Sequence, residues 1–277
     1  MPISPAQTAF VQALVHKRAA IVLDPSKQYL LETRLGALAA EQGFPCADEL
    51  IKASRDRLPL QSQIIEALTT NETSFFRDLR PFECLREAVL PGLIRARAAR
   101  RELRIWSAAC STGQEPYSLS MMIHEHFPEL CTWPVRILAT DIAAHVLARA
   151  KAGRYRTLEV NRGLPAQMLV KYFDRDGVDW EIKPTIKRLV EFSALNLVGP
   201  WPATLRPDIV LLRNVLIYFD LPTKRKILER IRGQIAPDGL LLLGAAETVL
   251  SIDDAWERVP FEKTAYYRLR DGGKVTV

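Results

Sequence analysis

Residues 106–119 read WSAACSTGQEPYSL, and the stretch divides into the end of an apolar strand, a loop of small residues and the start of a helix. LRIWSA at 103–108 supplies the strand, and 116–126 continues as the helix. The same alternation recurs downstream. VRILAT (135–140), LVEFSA (189–194), DIVLLRN (208–214) and LLLLGA (240–245) are short apolar runs, as expected of parallel strands buried on both faces. Helices are expected between them at 143–151 and 221–235. The pattern predicts an α/β fold with a doubly wound, mostly parallel, Rossmann-like sheet, and 264–270 as an antiparallel edge strand. Residues 153–187 break the alternation. Tyr155, Tyr172, Phe173, Trp180 and Ile182, with a turn signal at Asp176-Gly177, predict a small inserted β-subdomain.

Upstream of the sheet the sequence is helical. Phe10 and Leu14, then Leu30, Leu31, Leu35 and Leu38, recur at helical spacing, with breaks at Asp24-Pro25-Ser26 and Gly43-Phe44-Pro45. A further helix at 62–68 runs into the polar cluster 69–73, and 77–100 reads as a long helix or helix pair interrupted near Pro91-Gly92. The expected organisation is an N-terminal helical domain over 1–90, a linker at 91–102, and a second domain over 103–277 carrying the insertion at 153–187.

Composition bounds the function. With 277 residues, 48% hydrophobic and 25% charged, the chain can bury substantial cores and reads as a soluble globular protein. No run approaches the roughly 20 apolar residues of a membrane span, and MPISPAQ is not a secretory leader, so a cytoplasmic location without membrane insertion is expected. Cys46, Cys84, Cys110 and Cys131 form no C-x-x-C pair and are read as free thiols. The net charge of +6 is concentrated in Arg95, Arg97, Arg100, Arg101 and Arg104, and such a run is more often a solvated helix face than a nucleic-acid site. His16, His124, His126 and His145 show no metal-ligand grouping, and no metal is expected.

In a doubly wound sheet, ligands bind beyond the carboxyl ends of the strands. The loop after the first strand holds one glycine, Gly113, where a dinucleotide site uses several to let backbone amides approach a pyrophosphate. A cofactor without phosphates fits better, and S-adenosylmethionine is the candidate. Asp141, closing the second strand, can accept both ribose hydroxyls, or it caps the next helix. Glu115 stands in the first turn of a helix, where the macrodipole favours an acid. Asn196-Leu197 suits an amide contact and an apolar wall for adenine, and Arg213-Asn214 faces the cleft or caps the sheet.

With NETSFFR (71–77), WSAACSTGQEPYSL, ATD (139–141), FSALNL (192–197) and RNVLIYFD (213–220) in this order, the chain resembles the chemotaxis receptor methyltransferases of the CheR family nearly end to end. The resemblance implies transfer of a methyl group from S-adenosylmethionine to glutamates on the cytoplasmic signalling domain of chemoreceptors, leaving S-adenosylhomocysteine. It implies cofactor contacts from Asn71, Thr73, Arg77, Glu115, Asp141, Asn196, Leu197, Arg213 and Asn214, with Tyr218 near the methyl donor. The polar turn, otherwise a capped helix end, then becomes a lid in which Arg77 meets the cofactor's carboxylate. A monomer is expected.

Two family features are weaker here. The segment 27–42 offers Lys27 and Arg34 against Glu32 and Glu41 in place of a strongly basic receptor-docking helix. The turn 174–177 is short, which favours an enzyme that does not need a receptor tether. Three rivals stand beside this reading: a non-catalytic module that binds S-adenosylmethionine or a receptor, a nucleic-acid methyltransferase, and an NAD-dependent dehydrogenase. The nucleic-acid reading rests on charge, and no N-P-P-[YF]-like sequence supports it.

Overall fold

The computed structural model describes residues 3–24, 26, 28–203 and 205–270; Pro25 and Lys27, named above, lie outside the described residues. Four helices come first: α1 (Pro5–Ala19), α2 (Gln28–Glu41), α3 (Ala47–Ser54) and α4 (Leu58–Leu68). Ser4 accepts from the Gln7 amide at the N-terminus of α1, and Pro5 takes the first helical position, where its missing N–H costs nothing. Their apolar faces meet in one core that includes Val11, Val15, Leu35, Leu50, Ile51 and Ile64.

The interruption expected near Pro91 is a change of helical pitch. α5 (Arg80–Cys84), a π-helical turn (Leu85–Val89) and α6 (Leu90–Arg97) follow without a gap. A proline inside a regular helix removes one bond and clashes with the preceding turn, and the wider π turn falls just ahead of Pro91. Phe75, Phe82, Leu85, Val89 and Leu90 pack with the sheet and its helices, in a different core from that of α1–α4.

The large sheet contains β1 (Leu103–Ala108), β2 (Val135–Asp141), β6 (Val190–Ala194), β7 (Ile209–Leu212), β8 (Leu240–Leu243), β9 (Trp256–Phe261) and β10 (Thr264–Leu269). Its order is β6-β2-β1-β7-β8-β10-β9, with the first five parallel and the β8-β10-β9 edge antiparallel. The strand order reverses between β1 and β7, and Ala108 pairs with both Thr140 and Leu212, so the strand ends line up beneath one crevice. α7 (Gln114–His126), α8 (Ala144–Ala152) and α12 (Leu221–Arg232) follow β1, β2 and β7. None of the described helices is long and apolar enough to cross a membrane.

The insertion is a second sheet of β3 (Arg154–Arg156), β4 (Phe173–Asp176) and β5 (Asp179–Ile182) in the order β3-β5-β4, with the short helices α9 (Thr157–Val160), α10 (Ala166–Tyr172) and α11 (Pro184–Lys187). Asp176 pairs with Asp179, and Gly177 turns the hairpin at φ +63°, a conformation most side chains resist. Phe75 packs edge-on against Tyr155 at 5.0 Å and Phe173 at 5.6 Å, joining the insertion to the turn that precedes α5.

One member of the basic cluster, Arg97, is buried and pairs with a buried carboxylate. Asp208, fully buried at the start of β7, accepts from Arg97 Nε at 2.9 Å, Arg100 Nη2 at 2.5 Å and the Arg104 amide at 2.9 Å. Arg97 also grips Asp238, and Arg104 pairs with Glu102. Arg97 and Arg100 fasten α6 to the start of β7, while Arg95, Arg100 and Arg101 are exposed; of the five arginines only Arg97 is buried, so most of the run is a solvated face.

Asp220 caps α12, accepting from the Thr223 amide at 2.9 Å, and lies 3.2 Å from His16 Nε2 on α1. Hydrogen bonds from Thr223, reinforced by His16, lower its pKa from 3.8 to about 2. A depressed carboxylate stabilises the fold above its unfolded value, and that contribution is lost as pH falls from 3.8 through about 2. Asp220→Asn keeps the cap but cannot ionise. Urea unfolding at fixed salt should show the wild-type advantage over this variant shrinking as pH falls from about 5 to about 2; a difference independent of pH would contradict the assignment.

Candidate active site

A cavity of about 320 Å³ lies over the carboxyl ends of β1, β2, β6 and β7, roofed by the helical part of the chain. That volume suits a small molecule. Asn71, Thr73, Arg77, Glu115, Asp141, Asn196, Leu197, Arg213, Asn214 and Tyr218 all line it. Five separate stretches of sequence thus converge on one crevice.

The floor is the loop after β1. Ala109 and Ser111 have positive φ (59° and 51°), and Gly113 sits at φ +93°. A Cβ on Gly113 would meet Ala150 Cβ at 2.9 Å and the Tyr155 hydroxyl at 3.2 Å, so this glycine lets α7 start hard against α8. The Ser111 amide donates to Asp141 Oδ2 at 2.8 Å, and the Ala143 amide donates to Oδ1 at 3.0 Å. Asp141 is therefore not the cap of α8, whose N-cap is Ala143; it ties the ends of β1 and β2 together. Burial pushes its carboxyl above the usual range, against the pull of those amides. Each oxygen still has lone-pair capacity on the pocket side.

The turn 71–77 is bonded to that floor. Ser111 Oγ donates to the Asn71 carbonyl at 2.8 Å, and the Phe76 amide donates to Ser118 Oγ at 2.9 Å. Arg77 is half-buried and donates through Nη1 to the Glu72 carbonyl at 2.5 Å. Glu72 reaches outward to Arg162, which holds its carboxyl below the usual range. The residues behind Arg77 are contorted, with Phe76, Asp78 and Leu79 all at positive φ.

Arg213 clasps this contorted segment. Its side chain is 1% exposed; Nη1 donates to Glu115 Oε2 at 2.8 Å, and Nη2 donates to Asp78 Oδ2 at 2.9 Å and to the Arg77 carbonyl at 2.6 Å. The guanidinium also lies 5.6 Å from the Phe82 ring centroid. Glu115 Oε1 accepts from Ser107 Oγ at 2.8 Å, so both its oxygens are engaged. Arg213 and Glu115 form a buried pair at the wall of the cavity, and Arg77 reaches it from the rim.

On the opposite wall, Asn196 Nδ2 donates to the Arg18 carbonyl at the end of α1, while its Oδ1 accepts from the Val198 amide. Leu197 is buried beside it, in the core that holds Val210 and Leu212. Asn214 is left-handed at φ +57°, and Tyr218 is half-buried at the end of a short 3-10 turn (Leu216–Tyr218).

Other lining residues had no signal in the sequence. The segment 19–24 forms a wall, held by the Val22 amide donating to the Tyr218 carbonyl at 2.9 Å and by an Ile21–Phe219 bridge. Arg34 is turned inward and caps α4 through the carbonyls of Leu68 at 3.0 Å and Thr69 at 2.9 Å. It is not part of an outward basic face.

A sheet of this order, with its pocket at the reversal and one glycine in the loop after β1, has the architecture of a Rossmann-like S-adenosylmethionine site, and its relatives in sequence give its class. The family model described as "CheR methyltransferase, SAM binding domain" matches residues 71–265, and the chain belongs to that family. It is 44% identical to "Chemotaxis protein methyltransferase 1" of Pseudomonas aeruginosa, over 94% of this chain and 96% of that protein. Identity is 40% to "Chemotaxis protein methyltransferase Cher2" of Pseudomonas putida, with the same coverage of each. A magnesium protoporphyrin IX methyltransferase from Synechocystis, solved with SAM bound, is 13% identical with a TM-score of 0.35, covering 79% of this chain and 93% of that one.

Proposed function

We propose that this enzyme methylates glutamate side chains on the cytoplasmic signalling domain of chemoreceptors, producing glutamate methyl esters and S-adenosylhomocysteine. The observation that carries this reading is the convergence of all ten candidate site residues on one pocket, Arg77 and Tyr218 among them. The pocket fits the cofactor. Asp141 offers carboxylate oxygens to a ribose diol, and Leu197 gives adenine an apolar wall. Asn196 Nδ2 and Oδ1 each make one bond inside the protein, which fixes the side chain and leaves each atom one further hydrogen-bonding position for adenine. Arg77, with one Nη on a carbonyl and the rest of its fork available, suits the amino-acid carboxylate. Asn71, Thr73 and Asn214 complete the polar lining, while Glu115 and Arg213 hold the wall.

When bound, S-adenosylmethionine supplies an activated methyl on a sulfonium. The substrate glutamate, with an ordinary pKa of about 4.3, is ionised at neutral pH and needs no general base. With the cofactor held in the pocket, a substrate carboxylate oxygen would take the methyl as the C–S bond broke to leave a neutral thioether, so no residue of this chain would need to move a proton. Alignment is the enzyme's task, and it can supply several kcal/mol of the barrier. Tyr218 at the pocket wall orients the incoming carboxylate.

Incubation with methyl-labelled cofactor and receptor-containing membranes tests the reading. Label on the receptor that alkali releases is expected. Tight S-adenosylhomocysteine binding with no label on any receptor would instead favour a non-catalytic module.

A further inference from the structure

Glu247 lies in the loop after β8, outside every motif singled out in the sequence. Its carboxylate is nonetheless the hub of the pocket's far wall. Oε2 accepts from the Asn214 amide at 2.7 Å and the Gly244 amide at 2.7 Å, and Oε1 accepts from the Val215 amide at 2.8 Å and the Ile217 amide at 3.3 Å. The left-handed turn at Asn214 points the amides of Asn214, Val215 and Ile217 into one concavity, a backbone nest that calls for an anion, and the Gly244 amide joins them from the loop after β8. Glu247 supplies that anion from within the chain. Gly244 is shaped to the arrangement: a Cβ there would lie 2.8 Å from the Asn214 amide nitrogen, from Asn214 Nδ2 and from Glu247 Oε2.

The loop so held runs from Asn214 to Tyr218, and both ends line the cavity. Tyr218 has its own amide on the Val215 carbonyl at 3.2 Å and its carbonyl on the Val22 amide. Its position therefore follows from the conformation that Glu247 imposes on Val215 and Ile217. We propose that Glu247 is a positioning residue for methyl transfer, acting through the 214–218 loop on Tyr218. The inference rests on the methyltransferase reading above.

Glu247→Gln replaces one acceptor oxygen with an NH2 that faces amide donors, so the nest loses its fit without losing side-chain volume. In the full chain, with a receptor signalling fragment as substrate, kcat should fall by about 10- to 100-fold, the scale of a misplaced reacting group. The affinity for S-adenosylhomocysteine should change by less than about fivefold, because most of its contacts lie elsewhere. The discriminating measurement is a cycle with Tyr218→Phe. If Glu247 acts through Tyr218, the double variant is no slower than the slower single variant; a general structural role gives losses that multiply. Glu247→Asp, which keeps the charge one methylene short, should recover part of kcat and serves if the glutamine variant does not fold. An undiminished kcat in the glutamine variant, or losses that multiply, would overturn the proposal. Absence of transfer by the wild-type chain would instead overturn the function on which it rests.

Discussion

Arg213→Met is expected to destabilise the protein by about 3–5 kcal/mol, the usual cost of leaving one member of a buried ion pair without the other. Glu115, 9% exposed, would keep its Ser107 bond and lose the cation 2.8 Å away. Asp78 is better solvated, and its loss of the same cation adds little. Cofactor affinity should fall as well, because the Arg77 carbonyl loses its 2.6 Å anchor and the segment at positive φ is released. Adding Glu115→Gln should restore part of the stability, since no buried charge then stands alone. Urea unfolding of the single and double variants checks this. A loss below about 1 kcal/mol for Arg213→Met would show that the pair is not doing what its burial implies.

Arg77→Ala should behave in the opposite way. Its side chain is half-buried and makes a single backbone hydrogen bond among those found, so stability should change by no more than about 0.5 kcal/mol. A charge-assisted bond to the cofactor's carboxylate is worth about 1.5–3 kcal/mol, so the Kd for S-adenosylhomocysteine should rise about 10- to 150-fold. Arg77→Lys should recover part of that, because it keeps the charge and loses the fork. Calorimetric titration decides the matter. An unchanged Kd for the alanine variant would remove Arg77 from the binding site.

The central strands of the parallel sheet were legible because burial on both faces writes them as unbroken apolar runs, such as IVLL at β7 and LLLL at β8. β9 was not, since WERVPF alternates buried and exposed positions at the sheet's edge and carries Pro260. The cavity's lining was legible where a residue type is tied to a strand end, as with Asp141 and Asn214. It was not where main-chain bonds build the wall. Nothing in the sequence marks 19–24 as a pocket wall, because its hold is a main-chain bond to Tyr218. Glu247 gave no signal for the same reason: three of its four amide partners are brought together by a left-handed turn some thirty residues away, at Asn214, and the fourth is the nearby Gly244. Arg34 and Arg97 show the converse case, cations that sequence places among surface charge but that are spent on internal carbonyls and a buried carboxylate.

The most direct test of the account is to map the methyl group itself. A receptor signalling fragment incubated with the enzyme and deuteromethyl S-adenosylmethionine should, on fragmentation mass spectrometry, carry the label on glutamate side chains and lose it on mild alkaline hydrolysis. A label on another residue type, or one that survives alkali, would contradict glutamate esterification.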